Sequence, residues 1–130
     1  MAAIDRAALG RAAEDLAADH LRAAGALILL RNFRRRRGEL DIVALHRNTL
    51  LVVEVRLRSR DDYGGSAASV DRMKQRRIAH ATRQLLQQHR ELAQHPVRFD
   101  VIAISRSSAA RDGDSPYTIE WIRHAFEARG

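Results

Sequence analysis

Residues 37–43 read RGELDIV and residues 50–58 read LLVVEVRLR, and these two segments decide the predicted fold. Both are rich in Val, Ile and Leu, which favour strands. Residues 46–49 between them contain Asn48, which favours a turn. The pattern therefore predicts a β-hairpin with one strand on each side of that turn.

The segments outside the hairpin alternate between helical and strand patterns. The first helix is expected to end at Gly25, because glycine readily adopts the left-handed conformation that terminates helices. A second helix is indicated by the apolar row Val70, Ile78, Ala81 and Leu85. The predicted elements are a helix at residues 4–24, a strand at 26–33, a loop at 34–38, strands at 39–45 and 50–57, a loop at 59–69, a helix at 70–88, a strand at 97–104, a loop at 106–115, and a strand at 117–122 followed by a short tail helix.

This order, α-β-β-β-α-β-β, predicts an α/β fold. A strand, a helix and a strand in succession imply a parallel crossover, whereas the preceding hairpin is antiparallel. The expected result is a mixed β-sheet flanked by helices. A length of 130 residues suits a single domain, residues 1–130, built around one core.

The composition excludes several classes of protein. The chain has no cysteine, which excludes disulfides, thiolate zinc sites and iron–sulfur clusters. The longest apolar run, residues 26–30, is too short to cross a membrane. Charged residues interrupt residues 1–25, so this segment does not resemble a signal peptide. We therefore expect a cytoplasmic protein with no membrane partner.

The positive charge is concentrated in two segments. The formal net charge is +7, and residues 31–60 and 72–90 each carry a net charge of +6, while the rest of the chain is acidic. Such concentration favours a polyanionic partner such as nucleic acid. A solvated arginine-rich surface is the alternative, because arginines outnumber lysines 22 to 1. Aromatic residues make up only 5% of the chain, which argues against stacking of bases on an aromatic platform.

Two carboxylates lie within the apolar strands of the hairpin. With the turn at residues 46–49, Asp41 on one strand faces Glu54 on the other. Adjacent carboxylates repel each other unless a cation lies between them, and oxygen ligands of this kind suit Mg²⁺ or Mn²⁺. The alternative is that one or both carboxylates pair with nearby arginines, for which the candidates are Arg56, Arg58 and Arg98.

A set of short motifs around the hairpin resembles one protein family. The central motif is GELD at residues 38–41, followed after the turn by EVRLR at residues 54–58. Further matching pieces lie at residues 10–14, 31–34, 74–77 and 98–100. Together they resemble the UPF0102 family, also called YraN, over roughly residues 10–104. The resemblance implies a restriction-endonuclease-like fold, which archaeal Holliday-junction resolvases share.

The resemblance also implies a nuclease site of the PD-(D/E)xK type. Asp41 and Glu54 would hold Mg²⁺ or Mn²⁺, the carbonyl of Val55 would add a ligand, and Glu14 of the first helix would approach the same site. The position after Val55 is normally a lysine and is Arg56 here. Arginine cannot act as a general base at ordinary pH, although it can stabilise charge on a phosphate. The replacement is therefore compatible with an active and with an inactive site.

Lys74 is the only lysine of the chain and a candidate substitute for the missing motif lysine. It lies four residues from Val70 and from Ile78 on the apolar row, so we expect it to point toward the carboxylates. The alternative is that its ammonium group extends to solvent or binds a phosphate as a point charge.

Eight arginines are candidates for phosphate contacts, which would be independent of base sequence and sensitive to salt. They border the central motif or begin the second helix, and they are Arg34, Arg35, Arg36, Arg37, Arg58, Arg72, Arg76 and Arg77.

Three interpretations follow from these residues. The first is a metal-dependent endonuclease acting on branched or structured DNA, with the branch preference implied by the resemblance alone. The second is a non-catalytic nucleic-acid-binding protein on a nuclease scaffold. The third is an interaction module whose basic surface binds an acidic protein. Because the related resolvases act as dimers, the resemblance also suggests a homodimer.

Overall fold

The computed structural model describes residues 6–58, 69–106 and 116–128. Its elements are α1 (Arg6–Ala23), β1 (Leu27–Arg35), β2 (Gly38–His46), β3 (Thr49–Arg58), α2 (Arg72–Gln88), a short 3₁₀ helix (Arg90–Gln94), β4 (Val97–Arg106) and β5 (Tyr117–Phe126). The loops predicted at residues 59–69 and 106–115 fall mostly outside the described residues, as does the start of the first predicted helix.

The five strands form one sheet in the order β1-β2-β3-β4-β5. Strands β3 and β4 pair in parallel, and the other three pairs are antiparallel. Helix α2 lies in the connection between the two parallel strands, as a parallel crossover requires. The predicted order α-β-β-β-α-β-β and the mixed sheet are confirmed.

Three details differ from the sequence-based expectation. The loop predicted at residues 34–38 is only a two-residue turn, because β1 continues to Arg35 and β2 begins at Gly38. The 3₁₀ helix before Pro96 was not predicted. The predicted tail helix is wrong, since β5 continues to Phe126 and the described residues beyond it are not helical. Pairing with β4 holds this end extended, and the Phe126 ring stacks on Phe99 with ring centroids 5.4 Å apart.

The apolar residues form one buried cluster on each face of the sheet. Small side chains of α1, including Ala17 and Ala18, pack against one face, and this cluster includes Ile42 and Val53. Helix α2 packs on the other face, where the cluster consists of Phe33, Leu40, Val43, Leu50, Val52, Ile78, Ala81 and Leu85. Within the described part of the chain, neither helix has the length and apolar content needed to cross a membrane.

Gly38 sets how closely α2 approaches the sheet. A Cβ atom at this position would lie 2.1 Å from the carbonyl oxygen of Arg77 and 3.3 Å from the Cβ of Ala81. The first distance is far inside van der Waals contact, and the atom in the way belongs to the helix backbone. Only glycine therefore allows α2 to pack against the start of β2 at this distance.

We expect Gly38→Ala to destabilise the protein, because the added methyl group forces α2 away from β2. The free energy of unfolding should fall by about 3 kcal/mol, at the upper end of the usual cost of overpacking. Urea unfolding followed by circular dichroism measures the change. Gly10→Ala is the matched control, since nothing lies within 4 Å of an added Cβ there. In the interior of α1 that substitution should stabilise by about 0.5–1 kcal/mol. Equal effects at both positions would contradict the packing argument.

Candidate functional site

The two carboxylates lie where strands β2 and β3 separate. The hairpin register runs from His46 opposite Thr49 to Ile42 opposite Val53, and Asp41 and Glu54 are the next residue on each strand. Beyond that point the Val55 N–H donates to Asp41 Oδ2 at 2.8 Å. Because a backbone N–H points along the sheet and not out of it, this bond places the Asp41 carboxylate between the two strands. Asp41 thus takes the place of a backbone acceptor.

A change of face in β1 and β2 explains the orientation of Asp41. Leu40 and Ile42 are two residues apart, yet Leu40 packs on the α2 side of the sheet and Ile42 on the α1 side. Two residues at this spacing normally share a face. On β1 the position between the partners of Leu40 and Ile42 is Asn32, whose φ of 54° is left-handed. Asparagine tolerates this conformation better than most residues. The left-handed Asn32 lies on β1 at the level of the sheet where β2 changes face, and both strands change face there.

Glu54 is buried on the α2 side and forms an ion pair with Lys74. Its side chain is only 9% exposed, and Lys74 Nζ lies 2.6 Å from Glu54 Oε1. The ammonium group reaches the carboxylate from the first turns of α2. The prediction that Lys74 points toward the carboxylates is therefore confirmed, while its role in chemistry stays a prediction.

The surroundings of Asp41 disfavour its charged form. Burial, followed by the negative charge of Glu54, raises the pKa of Asp41 from its ordinary value to about 7. The hydrogen bond from Val55 and the charge of Lys74 oppose this shift, and Glu14 adds to it. The sheet thus holds two carboxylates close enough to repel each other.

The ammonium group of Lys74 is a cation at neutral pH. Burial by itself would lower the pKa of Lys74, but the hydrogen bond to Glu54 and the negative charges of Glu54, Asp41 and Glu39 outweigh it and raise the pKa. A protonated amine donates hydrogen bonds and offsets negative charge, but it does not accept a proton.

Glu14 borders the same region from α1 but is already engaged. Its Oε1 accepts from Arg31 Nε at 3.0 Å and from Asn32 Nδ2 at 2.9 Å. Arg31 also donates to Asp15. Glu14 therefore holds the left-handed Asn32 in position through Oε1.

A cavity of about 400 Å³ opens beside Asp41 on the α1 side. Its lining combines carboxylates, arginines and small or apolar residues: Gly10, Arg11, Ala13, Glu14, Asn32, Arg34, Glu39, Asp41, Val55 and Leu57. A second, smaller cavity of about 180 Å³ is lined by Lys74, Glu39 and Arg77, among others. Asp41 and the Glu54–Lys74 pair thus lie beside space that a ligand can enter.

The oxygen atoms present fit a hard divalent cation. Asp41 Oδ1 and Glu54 Oε2 have no hydrogen-bond partner among the described residues. The N–H and C=O of one strand residue point to the same side, so the carbonyl of Val55 is directed to the same edge of β3 as its N–H. Two carboxylates and a carbonyl are ligands that Mg²⁺ and Mn²⁺ prefer. No group of three or more His, Cys, Asp or Glu side chains in residues 6–58, 69–106 and 116–128 is arranged to hold a metal.

The described contacts include no ion pair between an arginine and either Asp41 or Glu54. Arg98 forms a bidentate pair with Asp100 at 2.8 Å for both bonds, and the fully buried Asp100 also accepts from Trp121 Nε1. Arg56 is exposed, and its guanidinium donates to the carbonyl of Ser69, just before α2. The described ion-pair partner of Glu54 is therefore Lys74 on α2 and not one of the three candidate arginines.

The predicted phosphate-binding arginines lie on β1, β3 and α2 and in the β1–β2 turn. Arg34 Nε lies 3.5 Å from Glu39 Oε2. The guanidinium carbon of Arg35 lies over the Phe33 ring, 4.0 Å from its centroid. The others lie in the β1–β2 turn, at the end of β3 or exposed on α2, and they are Arg36, Arg37, Arg58, Arg72, Arg76 and Arg77. The structure therefore brings the turn and the helix together, as the packing of Gly38 on Arg77 requires.

Comparison with known proteins identifies one family. The model of the family described as "Uncharacterised protein family UPF0102" matches residues 13–104, which include both carboxylates and Lys74. The chain belongs to the UPF0102 family. The resemblance that the motifs indicated is thus confirmed.

Similar UPF0102 proteins come from several bacteria. One from Stutzerimonas stutzeri is 44% identical over 119 residues, covering 92% of this chain and 94% of its own. One from Pseudomonas aeruginosa strain LESB58 is 43% identical over 119 residues and 92% of each chain. One from Alcanivorax borkumensis is 41% identical over 117 residues and 90% of each chain. The likeness therefore extends over nearly the whole length of these UPF0102 proteins.

Sequence reasoning missed several residues of this region. Asn32 and Arg31, which hold Glu14, gave no signal beyond their place in a family motif. His80 and Arg83 line a cavity with Arg37, Arg76 and Arg77. The spacing of positions 76, 80 and 83 places them on one helix face and could have identified this group.

We expect Asp41→Asn to stabilise the metal-free protein above neutral pH. The asparagine oxygen can still accept from Val55, but the buried charge is removed. Because the folded-state pKa of about 7 exceeds the ordinary 3.8, the folded state binds the extra proton. Wild-type stability should therefore fall as pH rises from about 4 to about 7. The free energy of unfolding of the variant should exceed that of wild type by on the order of 1–3 kcal/mol at about pH 8 and by little at about pH 4. Urea unfolding in EDTA measures this, with the exposed Asp19→Asn as control, and a pH-independent difference would contradict the argument.

Proposed function

We propose that this UPF0102 protein binds nucleic acid and cleaves phosphodiester bonds with a divalent metal held by Asp41 and Glu54. The observation that carries the proposal is the placement of two carboxylates side by side in an apolar sheet, next to a cavity. Burying two charges that repel each other destabilises the folded protein, and a bound cation offsets this cost. The proposed substrate class, branched or structured DNA, comes from the family resemblance, as does the proposed homodimer.

The chain's own residues would divide the work. Asp41, Glu54 and the carbonyl of Val55 would hold Mg²⁺ or Mn²⁺. When bound, such a metal stabilises negative charge on phosphoryl oxygens and lowers the pKa of water. Lys74, held by Glu54, would orient the substrate or a water molecule through its N–H donors, and Arg56 would neutralise phosphate charge.

A second candidate function is nucleic-acid binding without cleavage. It is favoured by Arg56, whose guanidinium is directed to the Ser69 carbonyl and cannot serve as a base. Lys74 is also a cation here, so neither residue supplies a proton acceptor. Under this alternative the two carboxylates have a structural role only, and the basic surface makes sequence-independent contacts with phosphates.

Cleavage of a labelled four-way junction, a matched duplex and a single strand distinguishes the two functions. With Mg²⁺ or Mn²⁺, we expect wild-type cleavage that EDTA abolishes. Asp41→Asn and Glu54→Gln should each lower the rate by about 10²-fold or more, as losing a group that stabilises transition-state charge commonly does. Thermal unfolding with Mn²⁺ gives a second readout, because a ligand at about 100 times its Kd stabilises the folded state by about 2.7 kcal/mol. Both carboxylate variants should lose that stabilisation.

Glu120→Gln is the matched control, because Glu120 is an exposed carboxylate on β5. It should leave cleavage and Mn²⁺ stabilisation unchanged. Binding without cleavage in wild type, with cleavage appearing in Arg56→Lys, would establish the second candidate. Absence of both nucleic-acid binding and Mn²⁺ stabilisation would refute both and favour an acidic protein as the partner of the basic surface.

Lys74→Met should weaken both folding and function, because it leaves the buried Glu54 without its ion pair. The free energy of unfolding should fall by about 1–3 kcal/mol in EDTA. Cleavage should fall by about 10²-fold, as loss of one positioned hydrogen-bond donor commonly causes. Lys74→Arg restores a cation and should recover most of the stability but only part of the rate. If Lys74→Met lowers stability and leaves binding and cleavage untouched, Lys74 has a purely structural role.

A further inference from the structure

Five side chains line a shallow, open cavity of about 280 Å³ between the β1–β2 turn and the outer face of α2. The helix contributes Arg76, Arg77, His80 and Arg83, and the turn contributes Arg37. Positions 76, 80 and 83 follow the helical repeat, so their side chains lie in a row along one face. The cavity has room for a phosphate group with bound water, since one water occupies about 30 Å³.

The lining carries positive charge with no acidic counterpart. None of its four arginines pairs with a carboxylate within residues 6–58, 69–106 and 116–128, and no acidic residue lines the cavity. A concave surface lined by one sign of charge concentrates the electrostatic field and attracts the opposite ion. Guanidinium groups match phosphate oxygens with paired N–H donors, and the imidazole of His80 can add another.

The two walls of this cavity are held at a fixed separation. Arg37 directly precedes Gly38, and Gly38 packs against the backbone of Arg77 so closely that no side chain fits between them. The turn therefore cannot move away from α2 without breaking that contact. A site whose backbone frame is fixed in advance loses less conformational freedom when it binds a ligand.

Arg77 connects this cavity to the candidate catalytic site. It also lines the neighbouring cavity to which Lys74 and Glu39 belong. A phosphate bound among the arginines would thus lie one cavity away from the Glu54–Lys74 pair. Successive phosphates of a nucleic-acid backbone can occupy such adjacent positions.

We propose that Arg37, Arg76, Arg77, His80 and Arg83 form a phosphate-binding site that holds a backbone phosphate of nucleic acid one cavity away from the Glu54–Lys74 pair. This inference rests on the proposed function for the identity of the ligand. It adds His80 and Arg83 to the binding residues and assigns them a defined place. The site positions the nucleic acid and takes no part in bond cleavage.

Inorganic phosphate is the first probe. The imidazole signals of His80, assigned with a His80→Gln variant, are followed by NMR as phosphate replaces chloride at constant ionic strength. We expect a saturable shift in wild type that is lost in the double variant Arg76→Gln/Arg83→Gln. The control Arg90→Gln/Arg123→Gln removes the same charge from exposed positions outside the cavity and should retain the shift. Absence of a shift in folded wild type, or an unchanged shift in the Arg76/Arg83 variant, overturns the site.

Duplex binding in EDTA then tests the source of the phosphate. We expect the Arg76→Gln/Arg83→Gln variant to bind more weakly, with a dependence of log affinity on log salt that is shallower by about 1, as loss of one phosphate contact predicts. An effect no larger than that of the control would overturn nucleic acid as the ligand. If wild type binds phosphate at His80 but binds no nucleic acid, the proposed function fails while the phosphate site stands. If duplex binds with this salt dependence but is not cleaved, the site stands and the non-catalytic function is supported.

Discussion

The hydrogen bond from the Val55 N–H to Asp41 is the contact on which the candidate site depends. Strands β2 and β3 stop pairing after Ile42 and Val53, and a side chain takes over where the backbone ladder ends. This substitution requires the carboxylate to lie in the plane of the sheet. The left-handed Asn32 on the neighbouring strand makes that possible, because both strands change face there. The site is thus a local interruption of an otherwise regular sheet.

The interruption brings together charges that an apolar sheet would otherwise avoid. Glu54 is buried and paired with Lys74. Burial and the negative charge of Glu54 disfavour the charged form of Asp41. One ammonium group offsets one of the two charges. The remaining negative charge makes the two carboxylates a suitable place for a cation. When no cation is present, the same charge lowers the stability of the folded state. Under the proposed function, folding stability and metal affinity are therefore opposed at Asp41.

Helix α2 connects this site to the basic surface. Its packing is set by Gly38, which lets the backbone of Arg77 touch the start of β2. The same position of the helix directs Lys74 to Glu54 and brings the outer arginines to the β1–β2 turn. The close contact at Gly38 and the apolar cluster under α2 together fix the relation between the carboxylates and the positively charged cavity.

The sequence by itself determined the order of helices and strands, the hairpin, and the placement of Asp41 and Glu54 at the same level of the hairpin. These follow from local apolar periodicity, turn residues and a hairpin register that is set by counting from the turn. Lys74 could be directed toward the carboxylates for the same reason, since helical spacing places it on the apolar row. The tertiary structure alone decided that Asp41 bonds to Val55, that Asn32 and Arg31 hold Glu14, and that β5 continues where a tail helix was expected. It also decided that His80 and Arg83 meet Arg37 across a cavity. These features depend on contacts between segments far apart in the chain, and local patterns do not encode which distant backbone or side-chain group will be available as a partner.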